Sequence, residues 1–439
     1  MELWQGEFGN PNGYMAIGRY TSGSYDDCSK FTSRPYAAFN QYGGTVRVKG
    51  LLMGYSCYTY KQCGLYELNI YDGLFEVGSG YVTIGFEGNG VRINGEDNEC
   101  VVNVYGGEFR KLAGDGGTDD KFMVGGKNSN WSTYIPKMKL NVYDGVVRTA
   151  SSVLIEVPGS NGTSGYLNMY GGVVETKNLK DSSTSSRSAA EGHIRFDGGT
   201  FRPLENNGAL SGFSSVTVGA GGGTIDVTNS NTYTVSQLAR ASDLGSAADG
   251  GFGASGTGTL VLNVANGFTG PTHVSDTATL KQGVANAFSD TVVLDGGTLD
   301  LNNIAATFKS IAGHGTIIGS CTVTESLELD GALTVNGSLT LANDVAMKMA
   351  VNDDGTVATP LNVTGTLTGG SNITIDFGRY DDYAFVSELE TQIGSAGAGS
   401  SFAAKPTCIT TGRLLSSVRL VNGAILLRVQ PRGTVFIFQ

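Results

Sequence analysis

A short phrase recurs along the first part of this chain and limits what it can fold into. It is an aromatic residue, then Gly or Asp, then Gly, then alternating apolar positions. It stands at Tyr42-Gly43-Gly44-Thr45-Val46-Arg47, Tyr71-Asp72-Gly73-Leu74-Phe75-Glu76, Tyr105-Gly106-Gly107-Glu108-Phe109-Arg110, Tyr143-Asp144-Gly145-Val146-Val147-Arg148 and Tyr170-Gly171-Gly172-Val173-Val174-Glu175. A variant follows at Asp197-Gly198-Gly199-Thr200-Phe201-Arg202. The tyrosines of successive phrases are 27 to 38 residues apart. Repetition on this scale marks a solenoid, because one coil cannot bury its apolar face without a neighbour. The expected fold is all-β: a β-solenoid, a right-handed parallel β-helix with about three strands per coil. Roughly 15 coils at the strand spacing would extend about 70 Å.

The phrases align into columns. Val46, Phe75, Phe109, Val147, Val174 and Phe201 share one position, and Arg47, Glu76, Arg110, Arg148, Glu175 and Arg202 the next. Alternate strand residues face opposite sides, so the first column is expected in the core and the second in solvent. Stacked in register, the outer column puts opposite charges next to each other, at about 0.2–1 kcal/mol per pair. Arg110 above Arg148 breaks the alternation, and Asp115, Asp119 and Asp120 between them are the expected countercharge. A further strand ending in Gly follows most phrases: Leu51-Leu52-Met53-Gly54, Val82-Thr83-Ile84-Gly85 and Phe122-Met123-Val124-Gly125, with Met15-Ala16-Ile17-Gly18 in a partial first coil. Helical periodicity is confined to Val235–Ala248 and Ala384–Gly394.

The chain changes character near residue 205. Sixteen of the 19 tyrosines lie at or before Tyr170, and the later chain is rich in Thr, Gly, Leu and Val. Two regions are expected, a Tyr/Gly-rich β-helix over 1–204 and a Thr/Gly-rich solenoid over 205–439. The second carries Gly256-Thr257-Gly258-Thr259-Leu260-Val261-Leu262, Phe268-Thr269-Gly270-Pro271-Thr272-His273-Val274, Leu294-Asp295-Gly296-Gly297-Thr298-Leu299-Asp300-Leu301-Asn302-Asn303, Ser310-Ile311-Ala312-Gly313-His314-Gly315-Thr316-Ile317 and Leu333-Thr334-Val335-Asn336-Gly337-Ser338-Leu339-Thr340-Leu341. Over about 255–345, with a weaker tail, this resembles the autotransporter-associated β-strand repeat. The resemblance implies a secreted or surface β-helix of bacteria and brings no catalytic residue with it.

Composition excludes several classes. The net charge is −11 with no basic run, which argues against nucleic acid as a partner. No apolar stretch is long enough for a transmembrane helix, and no C-terminal membrane barrel is evident. The first residues lack the features of a signal peptide, so either a leader has been removed or secretion uses none. Six cysteines show no paired zinc spacing. Cys57 and Cys63 flank a turn and suit either a bridge or two buried thiols. The three histidines, His193, His273 and His314, accompany no nucleophile elbow or metalloprotease helix.

No catalytic residue, cofactor or metal ligand set is expected. Calcium at the acidic turns has no full loop to support it. Polysaccharide cleavage would need paired carboxylates; the candidates are Asp72 with Asp144, Asp119-Asp120 and Asp381-Asp382. Each also suits a turn, where Asp bonds its own backbone. The aligned tyrosines Tyr42, Tyr71, Tyr105, Tyr143 and Tyr170 form a row that either faces glycans or a neighbouring subunit, or buttresses a corner. No capping helix is visible at either end. The terminal run containing Val435, Phe436, Ile437 and Phe438 is a candidate inter-subunit strand, since open edges invite pairing. The expected role is a non-enzymatic extracellular or cell-surface protein that self-assembles through its ends as a homo-oligomer or polymer: a filament, surface-layer or adhesin subunit. The alternative is a carbohydrate-active lyase or hydrolase on the same scaffold.

Overall fold

The computed structural model describes residues 1–18, 36–54, 61–62, 64–85, 89–90, 99–114, 121–125, 137–157, 164–181, 191–349, 360–377, 389–409 and 414–431. The chain divides into two compact units, Met1–Phe252 with Gly267–Thr269, and Gly253–Asn266 with Gly270–Gln439. The division falls near residue 252, well after the change in composition. Strand register continues across that change, with Phe201 opposite Ile225.

The first unit is a parallel β-helix, as the repeated phrase predicts. Each full coil gives one strand to each of three sheets. The first sheet runs Glu2–Leu3, Tyr36–Gln41, Leu65–Ile70, Glu99–Val104, Lys137–Val142, Ser164–Met169, Gly192–Phe196, Ser215–Val218 and Ala239–Arg240. The second includes Glu7–Phe8, Thr45–Val48, Leu74–Val77, Glu108–Lys111, Val146–Thr149, Val173–Thr176, Thr200–Pro203 and Gly223–Val227. The third contains Tyr14–Ile17, Gly50–Met53, Val82–Ile84, Lys121–Val124, Leu154–Glu156 and Leu179–Lys180. Every strand pairs in parallel with its counterpart one coil away. Such parallel sheets must be covered on the core face, and the inner positions are accordingly apolar.

The inner column of the second sheet is Val46, Phe75, Phe109, Val147, Val174 and Phe201, in direct register and with no exposed surface. Phe75 and Phe109 meet edge to face at 5.5 Å, a favourable aromatic geometry. The Gly-terminated strands stack as the third sheet, with Met15, Leu51, Val82, Phe122, Ile155 and Leu179 in register. The partial first coil is therefore present.

The second unit also stacks parallel strands. Leu260, Leu280, Leu299, Ile317, Val335 and Val363 form one buried column. Thr259, Thr279, Thr298, Thr316 and Thr334 stand beside it in register. Cys321, in a parallel column between Ala306 and Leu339, is buried. Burial pushes its thiol up to about 12, so it packs as a small apolar residue.

One expectation is corrected. Among the described residues, the segments with helical periodicity are not helices. Val235–Ala248 holds the end of one strand, the strand Ala239–Arg240 and a single 3-10 turn at Ser242–Leu244. In the other, Leu389–Ser395 is a strand and residues 384–388 lie outside the described ones. Pairing with an adjacent coil outweighs weak local propensity in both. The last described coil is covered by a hairpin, with no capping helix among the described residues. Leu414–Val421 and Ala424–Pro431 pair antiparallel, and the latter pairs antiparallel with Leu389–Ser395. Asn422 and Gly423 form the two-residue loop, both at positive φ, as a hairpin with right-handed twist requires. Val418 and Ile425 turn into an apolar core with Met347, Leu361, Ile375, Ile393 and Phe402. Residues 435–438 lie outside the described ones.

Candidate functional site: a stacked aromatic ridge

The phrase forms the corner between the first and second sheets of the first unit. Its glycine is required twice over. Gly107 adopts a φ of +66°, and a Cβ there would stand 2.4 Å from the carbonyl oxygen of Gly73 one coil away. Left-handed backbone and close approach together admit only glycine. With the corners this close, the side chain at the start of each phrase stacks on its counterpart.

The five aligned tyrosines are brought together. Ring centroids are 4.7 Å apart for Tyr42–Tyr71, 4.8 Å for Tyr71–Tyr105, 4.8 Å for Tyr105–Tyr143 and 5.0 Å for Tyr143–Tyr170, with planes 6° to 13° apart. Trp4 extends the stack onto Tyr42 at 4.1 Å. At the next coil beyond Tyr170 the position is Asp197, so the aromatic series stops there. Burial, and then neighbouring phenols, push Tyr105 and Tyr143 above the ordinary tyrosine value. The ring faces within the row are occupied by one another. Stacking on both sides therefore leaves no flat face of Tyr71, Tyr105 or Tyr143 open.

Two further ladders run along the same unit. Asn40, Asn69, Asn103, Asn141 and Asn168 each precede a phrase tyrosine by two residues. Each amide donates to the one before it: Asn69 Nδ2 to Asn40 Oδ1 at 2.9 Å, Asn103 to Asn69 at 2.8 Å, Asn141 to Asn103 at 2.9 Å and Asn168 to Asn141 at 2.8 Å. Asn69, Asn103 and Asn141 are buried, so these bonds also satisfy groups removed from water. Sequence reasoning missed this ladder, although its signal, Asn two positions before each tyrosine, is present in all five phrases.

The charged column is also a ladder. Arg47 lies 2.7 Å from Glu7 and 3.4 Å from Glu76, and Arg110 reaches Glu76 at 3.5 Å. Arg148 contacts Glu175 at 2.8 Å, while Arg202 joins Glu175 at 3.0 Å and Asp226 at 2.7 Å. Arg110 and Arg148 do stand side by side. Their shared countercharge is Glu108, at 2.6 Å and 3.4 Å. Glu108 sits two residues before Arg110 on the same outer face; Asp115, Asp119 and Asp120 lie outside the described residues.

The other candidates act locally. Asp72 Oδ1 and Asp144 Oδ1 accept the backbone N–H of Gly73 and Gly145 at 2.7 Å and 2.8 Å. They belong to coils separated by the one that carries Gly106, so the corner does not pair them. The Asp119-Asp120 and Asp381-Asp382 pairs, Cys57 and Cys63 lie outside the described residues. His193 stacks on Tyr166 at 4.6 Å and contacts Ser215 Oγ at 2.7 Å, and His314 meets Asp330 at 2.9 Å. Among the described residues, no three His, Cys, Asp or Glu side chains cluster as a metal site would need. No helix among the described residues is long and apolar enough to cross a membrane. No model of a known protein family matches the chain, and no curated protein matches it.

Proposed function

We propose that the protein is a non-enzymatic structural β-solenoid of the extracellular space or cell surface, a self-associating subunit of a filament, surface layer or adhesive array. The observation that carries this reading is how the repeated polar and aromatic positions of the first unit are used. The amide ladder, the tyrosine stack and the alternating charges each join one coil to the next. Such ladders suit a load-bearing body, because they add side-chain cohesion to the backbone hydrogen bonds of every coil. On this reading the second region is a surface solenoid of the autotransporter-associated repeat kind. The stacked Gly-Thr-Leu strands of that unit support it.

The hairpin covers the apolar core of the last described coil with Val418 and Ile425, and association through the ends is the contact this reading expects. Polysaccharide cleavage gains no support from the geometry of Asp72 and Asp144. Light scattering across a concentration series, with negative-stain microscopy of the same samples, tests the reading. Ordered multimers that grow with concentration are expected. A monodisperse monomer at every concentration, or depolymerisation of an acidic polysaccharide by the pure protein, would contradict it.

A further inference from the structure

The tyrosine row carries an inference that rests on this structural reading and deepens it. Stacking covers both faces of Tyr71, Tyr105 and Tyr143, yet each stays 38–40% exposed. What solvent meets is therefore the outer ring edge, with the phenolic oxygen and the carbons ortho to it. These are the atoms through which phenoxyl radicals couple. Each ring also lies between two electron-rich faces, which stabilise positive charge on it much as a ring stabilises a cation placed over its face. Oxidation is thereby favoured in the row over an unstacked tyrosine. We propose that the row is an oxidative cross-linking site, where a tyrosine of one molecule becomes bonded through its ortho carbon to a row tyrosine of a second copy.

The oxidant is hydrogen peroxide acting through a haem peroxidase. Each of two phenols gives up one electron and one proton. The two electrons and two protons reduce one peroxide to two waters. The two radicals form a carbon–carbon bond between ortho carbons, and the hydrogens on those carbons move to the phenolic oxygens as the rings become aromatic again. Coupling within the row is disfavoured by its geometry. The new bond needs rings edge to edge, whereas row neighbours lie face to face within 13°.

The full chain is treated with hydrogen peroxide and a haem peroxidase, then resolved on a denaturing gel and mapped by peptide mass spectrometry. Covalent multimers with dityrosine fluorescence are expected, linked through Tyr71, Tyr105, Tyr143 and their row neighbours. Tyr36 is 61% exposed and Tyr14 39%, and both lie outside the stack. Links mapping mainly to these two would show that the stack does not direct coupling and would overturn the proposal. The variant Tyr71→Phe, Tyr105→Phe, Tyr143→Phe keeps the rings and removes the oxygens; it should lose most of the row's cross-links while retaining its circular dichroism. Unchanged yield in that variant would also overturn the proposal. Should the triple variant not fold, Tyr105→Phe alone must lose the links at that position. Light scattering before oxidation separates the two readings. Association without row cross-links defeats only this proposal, and row cross-links in a protein that never associates otherwise defeat only the assembly reading.

Discussion

The two units build coils from the same backbone ladders but secure them with different side chains. In the first, stacked tyrosines and alternating charges line the outer surface, and a largely buried row of hydrogen-bonded asparagines runs beside them. In the second, hydroxyl groups tie corners to neighbouring backbone: Ser320 Oγ accepts from Ser338 N at 2.9 Å, Ser338 Oγ from Thr366 N at 3.1 Å and Ser400 Oγ from Leu367 N at 2.9 Å. Both units pack glycines at their corners. A Cβ on Gly337 would meet the carbonyl of Gly319 at 2.3 Å, much as one on Gly107 would meet that of Gly73 at 2.4 Å. The difference teaches that parallel stacking fixes the core and the corner, while the outer face is free to use whatever chemistry suits its surroundings. In the first unit that chemistry is large, aromatic and repeated; in the second it is small and local.

The comparison can be tested by loss of stability, taking the largest effect first. Truncating Phe109, fully buried among Phe75 and Phe122, should cost about 3–5 kcal/mol. Leu299→Ala in the second unit should cost about 2–5 kcal/mol. Chemical denaturation of each variant checks that the two cores are equally demanding. Gly107→Ala should cost more than Gly337→Ala, because only Gly107 adds a left-handed backbone to the close approach. The added penalty is about 1–2 kcal/mol. Asn103→Ala leaves the buried Asn141 amide without its acceptor and Asn69 without its donor. A cost of about 1–3 kcal/mol is expected, read from thermal melts beside Ser338→Ala. Arg202→Ala removes ion pairs that are partly exposed, and should cost no more than about 1 kcal/mol, less in high salt.

A smaller, pH-dependent effect separates the units again. Burial holds His273, in the second unit, below the ordinary histidine value. Between that lowered value and the ordinary one, the unfolded chain binds the proton more readily than the folded chain. Stability therefore rises with pH through this window and is lost as pH falls from the ordinary histidine value towards the lowered one. Denaturation midpoints measured from about pH 7 to about pH 5 should fall in the native chain and fall less in His273→Gln.

The core was legible in the sequence because burial and the two-residue alternation of a strand write the same pattern. Val46 through Phe201 could be placed without a structure for that reason. The Gly-terminated strands were legible for the same cause. The charge ladder was readable in outline, yet the partner of Arg110 and Arg148 was sought in an insertion when Glu108 lay within the phrase itself; strand alternation already placed it on the same face. The asparagine ladder escaped notice because an isolated Asn in a strand reads as a turn residue, and its role exists only once coils are stacked. The closing hairpin could have been inferred from Asn422-Gly423 between two alternating runs. The division near residue 252 falls inside the Gly- and Ser-rich segment Gly245–Gly258, whereas coil pairing passes unbroken through the loss of tyrosine near residue 205.

The claim that side-chain ladders hold the first unit's coils together is tested most directly by hydrogen exchange on the variant Asn103→Ala, Asn141→Ala. Amides of Glu99–Val104, Lys137–Val142 and Ser164–Met169 should exchange faster than in the native chain, while Thr259–Leu262 and Leu339–Leu341 keep their protection. Unchanged protection in the first three strands would mean that backbone pairing and the core suffice, and that the ladders are decoration.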